Sequence, residues 1–156
     1  MRVHGQGKRY HHKYLGIGAR MDTIQAAVLL AKLRHYPDEI KKRREVAEHY
    51  SKLLRDNVIT PVVGEDRTSV WAQYSIRVKE RGRVQEALKQ AGIPTAVHYP
   101  MPLHLQECFQ YLGHSAGDFP VAEAVSEEIM SLPMNPFLTL DEQEYVASSL
   151  KKIVHE

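Results

Sequence analysis

Apolar positions along the chain change period several times, and each change marks an element. After Asp22, Ile24, Ala27, Val28 and Ala31 make a helix apolar on most sides, which predicts that it is well buried. Asp22 can cap it, with Gln25 three positions on as in a capping box. Pro37 interrupts this run, and Asp38 and Glu39 suit the first turn of another. Ile40, Ala47, Tyr50 and Leu54 then form one stripe. Two outcomes stay open: one long helix kinked at Pro37, or two helices in close succession. Further on, "SVWAQYSIRVK" alternates, with Val70, Ala72, Tyr74, Ile76 and Val78 on one face of a strand. "RVQEALKQAG" is a short helix with Val84, Ala87, Leu88 and Ala91 inward and Gly92 as its stop. "IPTAVHY" predicts a short strand, at an edge or with Pro94 at its start, because Pro94 donates to no ladder. Leu105, Phe109 and Leu112 predict a helix ending at Gly113. Pro120 opens another, with Val121, Ala124, Val125 and Ile129 inward. "MSLPMNP" reads as a short strand and turn. Thr139 and Glu142 form a capping box for a last helix that uses Val146, Leu150 and Ile153.

The fold class is therefore α+β: a long helix leading into a small, mostly antiparallel sheet covered by helices. Residues 1–20 show four glycines and no period, which predicts a loop with little regular structure.

Composition narrows this picture only slightly. The chain has 156 residues, 43% apolar and 26% charged, with a net charge of +2. That is ordinary for a soluble domain and gives no reason to expect a nucleic-acid partner. Lys41 to Arg44 reads as a solvated helix face. The longest mainly apolar run is broken by Gln25 and Lys32, too short for a membrane span. A single cysteine, Cys108, excludes an internal disulfide and fits a reducing cytoplasm. It falls in an amphipathic pattern, which predicts a buried thiol.

Nine histidines raise the question of a metal. The spacings His11-His12 and His98…His104 match no zinc pattern, and no metal is expected. "GIGARMD" leads into the capped helix at Asp22, and its backbone N–H groups and Arg20 could receive an anion. The stretch "GIPTAVHYPMPLH" holds His98 and Tyr99 on a frame stiffened by Pro94, Pro100 and Pro102, which lowers the entropy cost of presenting them.

Several longer stretches carry a resemblance. "HGQGKRYHHKYLGIGARMDTIQAAVLLAKL", "VWAQYSIRV", "GIPTAVHYPMPLHLQ", "FPVAEAVSEEIMSLPMNP" and "LTLDEQEYV" occur in this order. Together they resemble the C-terminal part of the DegT/StrS sugar-nucleotide aminotransferases, fold-type I pyridoxal-phosphate enzymes. The resemblance implies transfer of an amino group, usually from glutamate, to a nucleotide-linked keto-sugar, in a homodimer whose sites borrow residues across the interface. It divides the chain into residues 1–34, a remnant of the large cofactor domain, and residues 35–156, the small domain. It places the Schiff-base lysine upstream of "HGQ"; Lys8, Lys13 and Lys32 sit in no such motif. Residues 1–156 alone are therefore expected neither to bind pyridoxal phosphate nor to transaminate. The family turn Gly-x-Asn-x-Arg matches Gly16 to Arg20, with Gly18 where the family has the asparagine that reaches the cofactor phosphate. Arg20 matches an arginine near the substrate, His98 and Tyr99 match a pair lining the sugar-nucleotide pocket, and Tyr10 is a further candidate there. The competing expectation is a non-catalytic module that binds a nucleotide-sugar, a protein partner or itself.

Overall fold

The computed structural model describes residues 3–156. They fall into two units, Met1–Asp38 and Glu39–Glu156.

In the first unit the expectation of an irregular opening is corrected. Gln6–Lys8 (β1) and His11–His12 (β2) form a small antiparallel hairpin; Met1 and Arg2 lie outside the described residues. Gly5 sits at φ +70°, and Lys13 N–H donates to its carbonyl at 2.9 Å. A Cβ on Gly5 would stand 1.8 Å from the Tyr14 carbonyl oxygen, so the close approach that shapes this turn requires glycine. Glycine content hid the hairpin from pattern reading, because the turn needs it while the strands are too short to alternate.

Helix α1 spans Thr23–Leu33, and Gln25 Oε1 accepts the Asp22 N–H at 3.0 Å. The boundary is as the capping signal requires. The burial expectation is overturned: no residue of α1 is buried, and Ile24 is 80% and Leu30 66% exposed. A helix that is apolar all round needs cover on all sides, and the described residues give α1 none. Helix α2 then spans Tyr36–Leu54 with Pro37 in its first turn, where the missing N–H costs nothing. Of the two outcomes left open by the sequence, separate helices is the one formed.

The second unit is built on two antiparallel strands, β3 (Tyr74–Arg77) and β4 (Ile129–Leu132), in the register Tyr74↔Leu132, Ser75↔Ser131, Ile76↔Met130, Arg77↔Ile129. Single bridges extend the pairing on either side, Ile59 to Arg77 and Ala96 to Ser131. The bridge at Ala96 is what remains of the strand expected at "IPTAVHY". Alternate residues face opposite sides of a sheet. Tyr74, Ile76, Met130 and Leu132 enter the core with Tyr50 and Leu54 of α2, Val84 and Leu88 of α3 (Arg81–Gln90), and Val146, Leu150 and Ile153 of α4, defined here as Leu140–His155. Ser75, Arg77, Ile129 and Ser131 belong to the other face.

The local stop and start signals hold at α3 and α4. Gly92 takes φ +73° just past α3, and Glu142 N–H donates to Thr139 Oγ1 at 3.2 Å at the start of α4. Three burial expectations do not hold. Val70 and Ala72 are exposed, because Trp71 has φ +50° and the pleat begins only at Tyr74. Cys108 is exposed: Leu103–Leu105 and Glu107–Leu112 wind as 3-10 turns, whose three-residue period shifts every side chain from its α-helical face. Within the helix Pro120–Glu128, Val121 and Ala124 face solvent and Ser126 is buried. That helix is held by its end, where Arg81 Nη1 donates to the carbonyls of Ser126 and, at 3.3 Å, Ile129.

Candidate functional site

Buried Ile93 anchors the chain as it leaves α3. Ala96 then pairs with Ser131 in both directions, its N–H donating at 3.2 Å and its carbonyl accepting at 2.7 Å. The two residues beyond that clamp are His98 and Tyr99. The His98–Tyr99 peptide is cis, and their rings meet edge to face at 5.8 Å between centroids. His98 is half-buried, whereas Tyr99 is 74% exposed.

Both residues line an open groove of about 640 Å³. Pro100, Met101, Pro102 and Leu103 continue the His98 side. Phe119, Val125, Ser126 and Ile129 complete the lining. Apolar walls with a few convergent polar groups are the usual make-up of a small-molecule site. Polar fixing comes from underneath. His98 Nδ1 lies 3.1 Å from Ser131 Oγ, and Ser131 Oγ lies 2.8 Å from Ser75 Oγ.

His104, at the end of the groove, is nearly buried. Its Nε2 lies 3.0 Å from Glu123 Oε1, and its ring stacks 4.8 Å from Phe119. Glu123 also accepts the N–H groups of Gly117 and Phe119. These contacts, Gly117 foremost, then Phe119 and His104, hold its carboxyl below the usual carboxylate range. Asp118 is lowered in the same way, chiefly by the Ser115 N–H and then by His114. One glutamate thus ties residues 117–119 to His104 beside the groove.

Gly18, Arg20 and Tyr10 belong to the other unit and are described by themselves. Gly18 bridges Val3. A Cβ there would meet His4 Cε1 at 2.9 Å, so an asparagine at this position would require the His4 ring to move. Arg20 lines a shallow depression with Ile24, Gln25 and Val28. Tyr10 is exposed; its hydroxyl takes a 3.3 Å hydrogen bond from Arg9 Nη2. Of the five residues singled out by sequence, the structure brings His98 and Tyr99 into one groove.

Sequence reasoning missed Ser75, Ser131, Phe119 and Glu123. A buried serine inside the apolar stretch "IMSL" was the one available signal, since an isolated buried hydroxyl needs a partner. His104 drew notice only for its spacing.

Pyridoxal phosphate needs an amine for its Schiff base and an acidic partner for its ring nitrogen. Neither the groove lining nor the depression at Arg20 contains a lysine or a carboxylate. The residues present do not fit the cofactor. Among the described residues there is also no gathering of three or more metal-ligating side chains, and no helix long and apolar enough to cross a membrane.

The sequence profile of the DegT/DnrJ/EryC1/StrS aminotransferase family matches residues 1–151. The chain is 42% identical over 154 residues to a pleiotropic regulatory protein of Geobacillus stearothermophilus, covering 96% of this chain and 41% of that protein. It is 40% identical to the UDP-2-acetamido-2-deoxy-3-oxo-D-glucuronate aminotransferase of Pseudomonas aeruginosa, covering 94% and 40%. The fold superimposes with a TM-score of 0.86 and 29% identity on DesV of S. venezuelae, solved in complex with a ketimine intermediate, covering 99% of this chain and 42% of that one. The chain spans about two-fifths of the length of the relatives it matches.

Proposed function

The chain belongs to the DegT/DnrJ/EryC1/StrS aminotransferase family, and from that premise we propose that it is the sugar-facing C-terminal portion of an enzyme that aminates a nucleotide-linked keto-sugar. Glutamate is the amino donor in this reading, and pyridoxal phosphate the carrier. The observation that carries it is the groove in which His98 and Tyr99 stand together against an apolar wall. A sugar ring offers an apolar face and a rim of hydroxyls, and this lining offers an aromatic surface with a small number of polar atoms. By family resemblance, Arg20 and Tyr10 serve the substrate in the assembled enzyme, and the Gly18 turn serves the cofactor phosphate. Residues 1–34 belong with the cofactor domain and residues 35–156 form the small domain. Two copies pair, each lending residues to the other's site. The reading is tested by titrating a UDP-linked hexose into the chain while following the groove side chains.

Residues 1–156 by themselves do not transaminate, because neither the groove at His98 nor the depression at Arg20 holds an amine that could anchor the carrier. Incubation with pyridoxal phosphate should give no aldimine absorbance, and borohydride should fix no stoichiometric adduct to a lysine. A defined adduct accompanied by turnover of glutamate would overturn this.

A further inference from the structure

Ser131 lies on β4 between two pairing partners, and its backbone is clamped on both edges. Ser75 stands opposite it in the ladder, and Ala96 exchanges two hydrogen bonds with it on the other side. The side chain is 5% exposed. Its Oγ therefore has a fixed place, and it touches Ser75 Oγ at 2.8 Å and His98 Nδ1 at 3.1 Å. Each hydroxyl carries one hydrogen, and a neutral imidazole carries one on either nitrogen. Two arrangements are consistent with those distances. In one, Ser75 donates to Ser131 and Ser131 donates to Nδ1, which leaves the ring proton on Nε2. In the other, Nδ1–H donates to Ser131 and Ser131 donates to Ser75. The first gives every hydroxyl hydrogen an acceptor. The second leaves the hydrogen of half-buried Ser75 without a protein acceptor among the described residues, so only the first closes the network within the protein.

We propose that Ser75 and Ser131 are positioning residues that hold His98 as its Nε2–H tautomer, so that the groove is served by a fixed hydrogen-bond donor. This inference rests on the reading of the groove as a substrate site and specifies its chemistry. His98 recognises an acceptor oxygen, a hydroxyl, carbonyl or phosphate oxygen of the sugar-nucleotide, and does not act as a base through Nε2 while neutral. The second ring nitrogen is oriented by the bond the first one makes.

The test is the ring spectrum of His98 in the chain labelled with 15N-histidine, recorded without ligand near pH 8, above the ordinary imidazole range. The resonances are assigned by their loss in His98→Gln. The expected result is an excess of the Nε2–H form about fivefold greater than that of free histidine under the same conditions, the factor that one ordinary net hydrogen bond adds. Ser131→Ala should return the ratio to that of free histidine. Ser75→Ala, which leaves Ser131 free to donate or accept, should lower it and serves also if Ser131→Ala does not fold. A dominant Nδ1–H form, or the same ratio in the folded variants, overturns the proposal. Because no nucleotide-sugar is present, a groove that fails to bind one leaves this result standing, and the reverse also holds.

Discussion

Leu88→Ala should lower the unfolding free energy of the Glu39–Glu156 unit by about 2–5 kcal/mol. Leu88 is fully buried, one turn beyond Val84, and its helix packs on the C-terminal helix beside Leu150 and Ile153. Truncation loses the transfer free energy of the removed carbons and leaves a cavity that strands and helices on three sides cannot close. Urea unfolding should show a lower midpoint with an unchanged slope. Glu86→Ala on the outer side of the same helix removes only an exposed 3.7 Å contact to Lys89 and should change stability by less than about 0.5 kcal/mol. Equal effects from the two variants would show that α3 is not seated on the core. The position also bears on function, because α3 ends at Gly92 and leads directly into the arm that presents His98.

The second large effect concerns α1. Ile24, Val28, Leu29, Leu30 and Leu33 are all substantially exposed, and burying one such side chain is worth about 1.5–3 kcal/mol. A helix of this kind calls for cover in water. The chain should therefore self-associate at tens of micromolar, an order at which a few such contacts suffice, and light scattering should give at least twice the monomer mass. The double substitution Ile24→Lys and Leu30→Lys, at the two most exposed helical positions of that set, should return it to a monomer while the far-ultraviolet spectrum stays helical. A monomer in the unaltered chain, with slow amide exchange along α1, would instead favour a stand-alone module that covers this helix itself.

The features legible in the sequence are those with local causes. Asp22 with Gln25, Thr139 with Glu142, and Gly92 after Leu88 each act within four residues, so the ends of three helices follow from the sequence. The antiparallel α+β layer follows from the alternation at Tyr74 to Val78 and the short strand read at "MSLPMNP", although Ile129, expected on the helix before it, opens the strand instead. What failed depended on distant partners. The burial of α1 was inferred from its composition, but composition states a demand for cover and not its supply. Cys108 was placed by a 3.6-residue period in a segment that winds with three. His98 and Tyr99 stand out through their proline-stiffened frame, and their role in a pocket only through resemblance to a family. Their mounting was invisible, because Ser131 lies 33 residues from His98 and Ser75 lies 56 from Ser131. No local pattern announces a hydrogen bond across such separations.

The account stands on the groove at His98 and Tyr99 being a nucleotide-sugar surface. Its most direct test is a titration of a UDP-linked hexose into the isotope-labelled chain, read by nuclear magnetic resonance. An open groove without the remainder of a pocket should bind at about millimolar strength. The shifts should centre on His98, Tyr99, Met101, Leu103 and Phe119, and His98→Ala should weaken binding by about tenfold, the loss of one good hydrogen bond and its packing. Shifts absent at tens of millimolar ligand, or confined to residues away from this groove, would contradict the assignment.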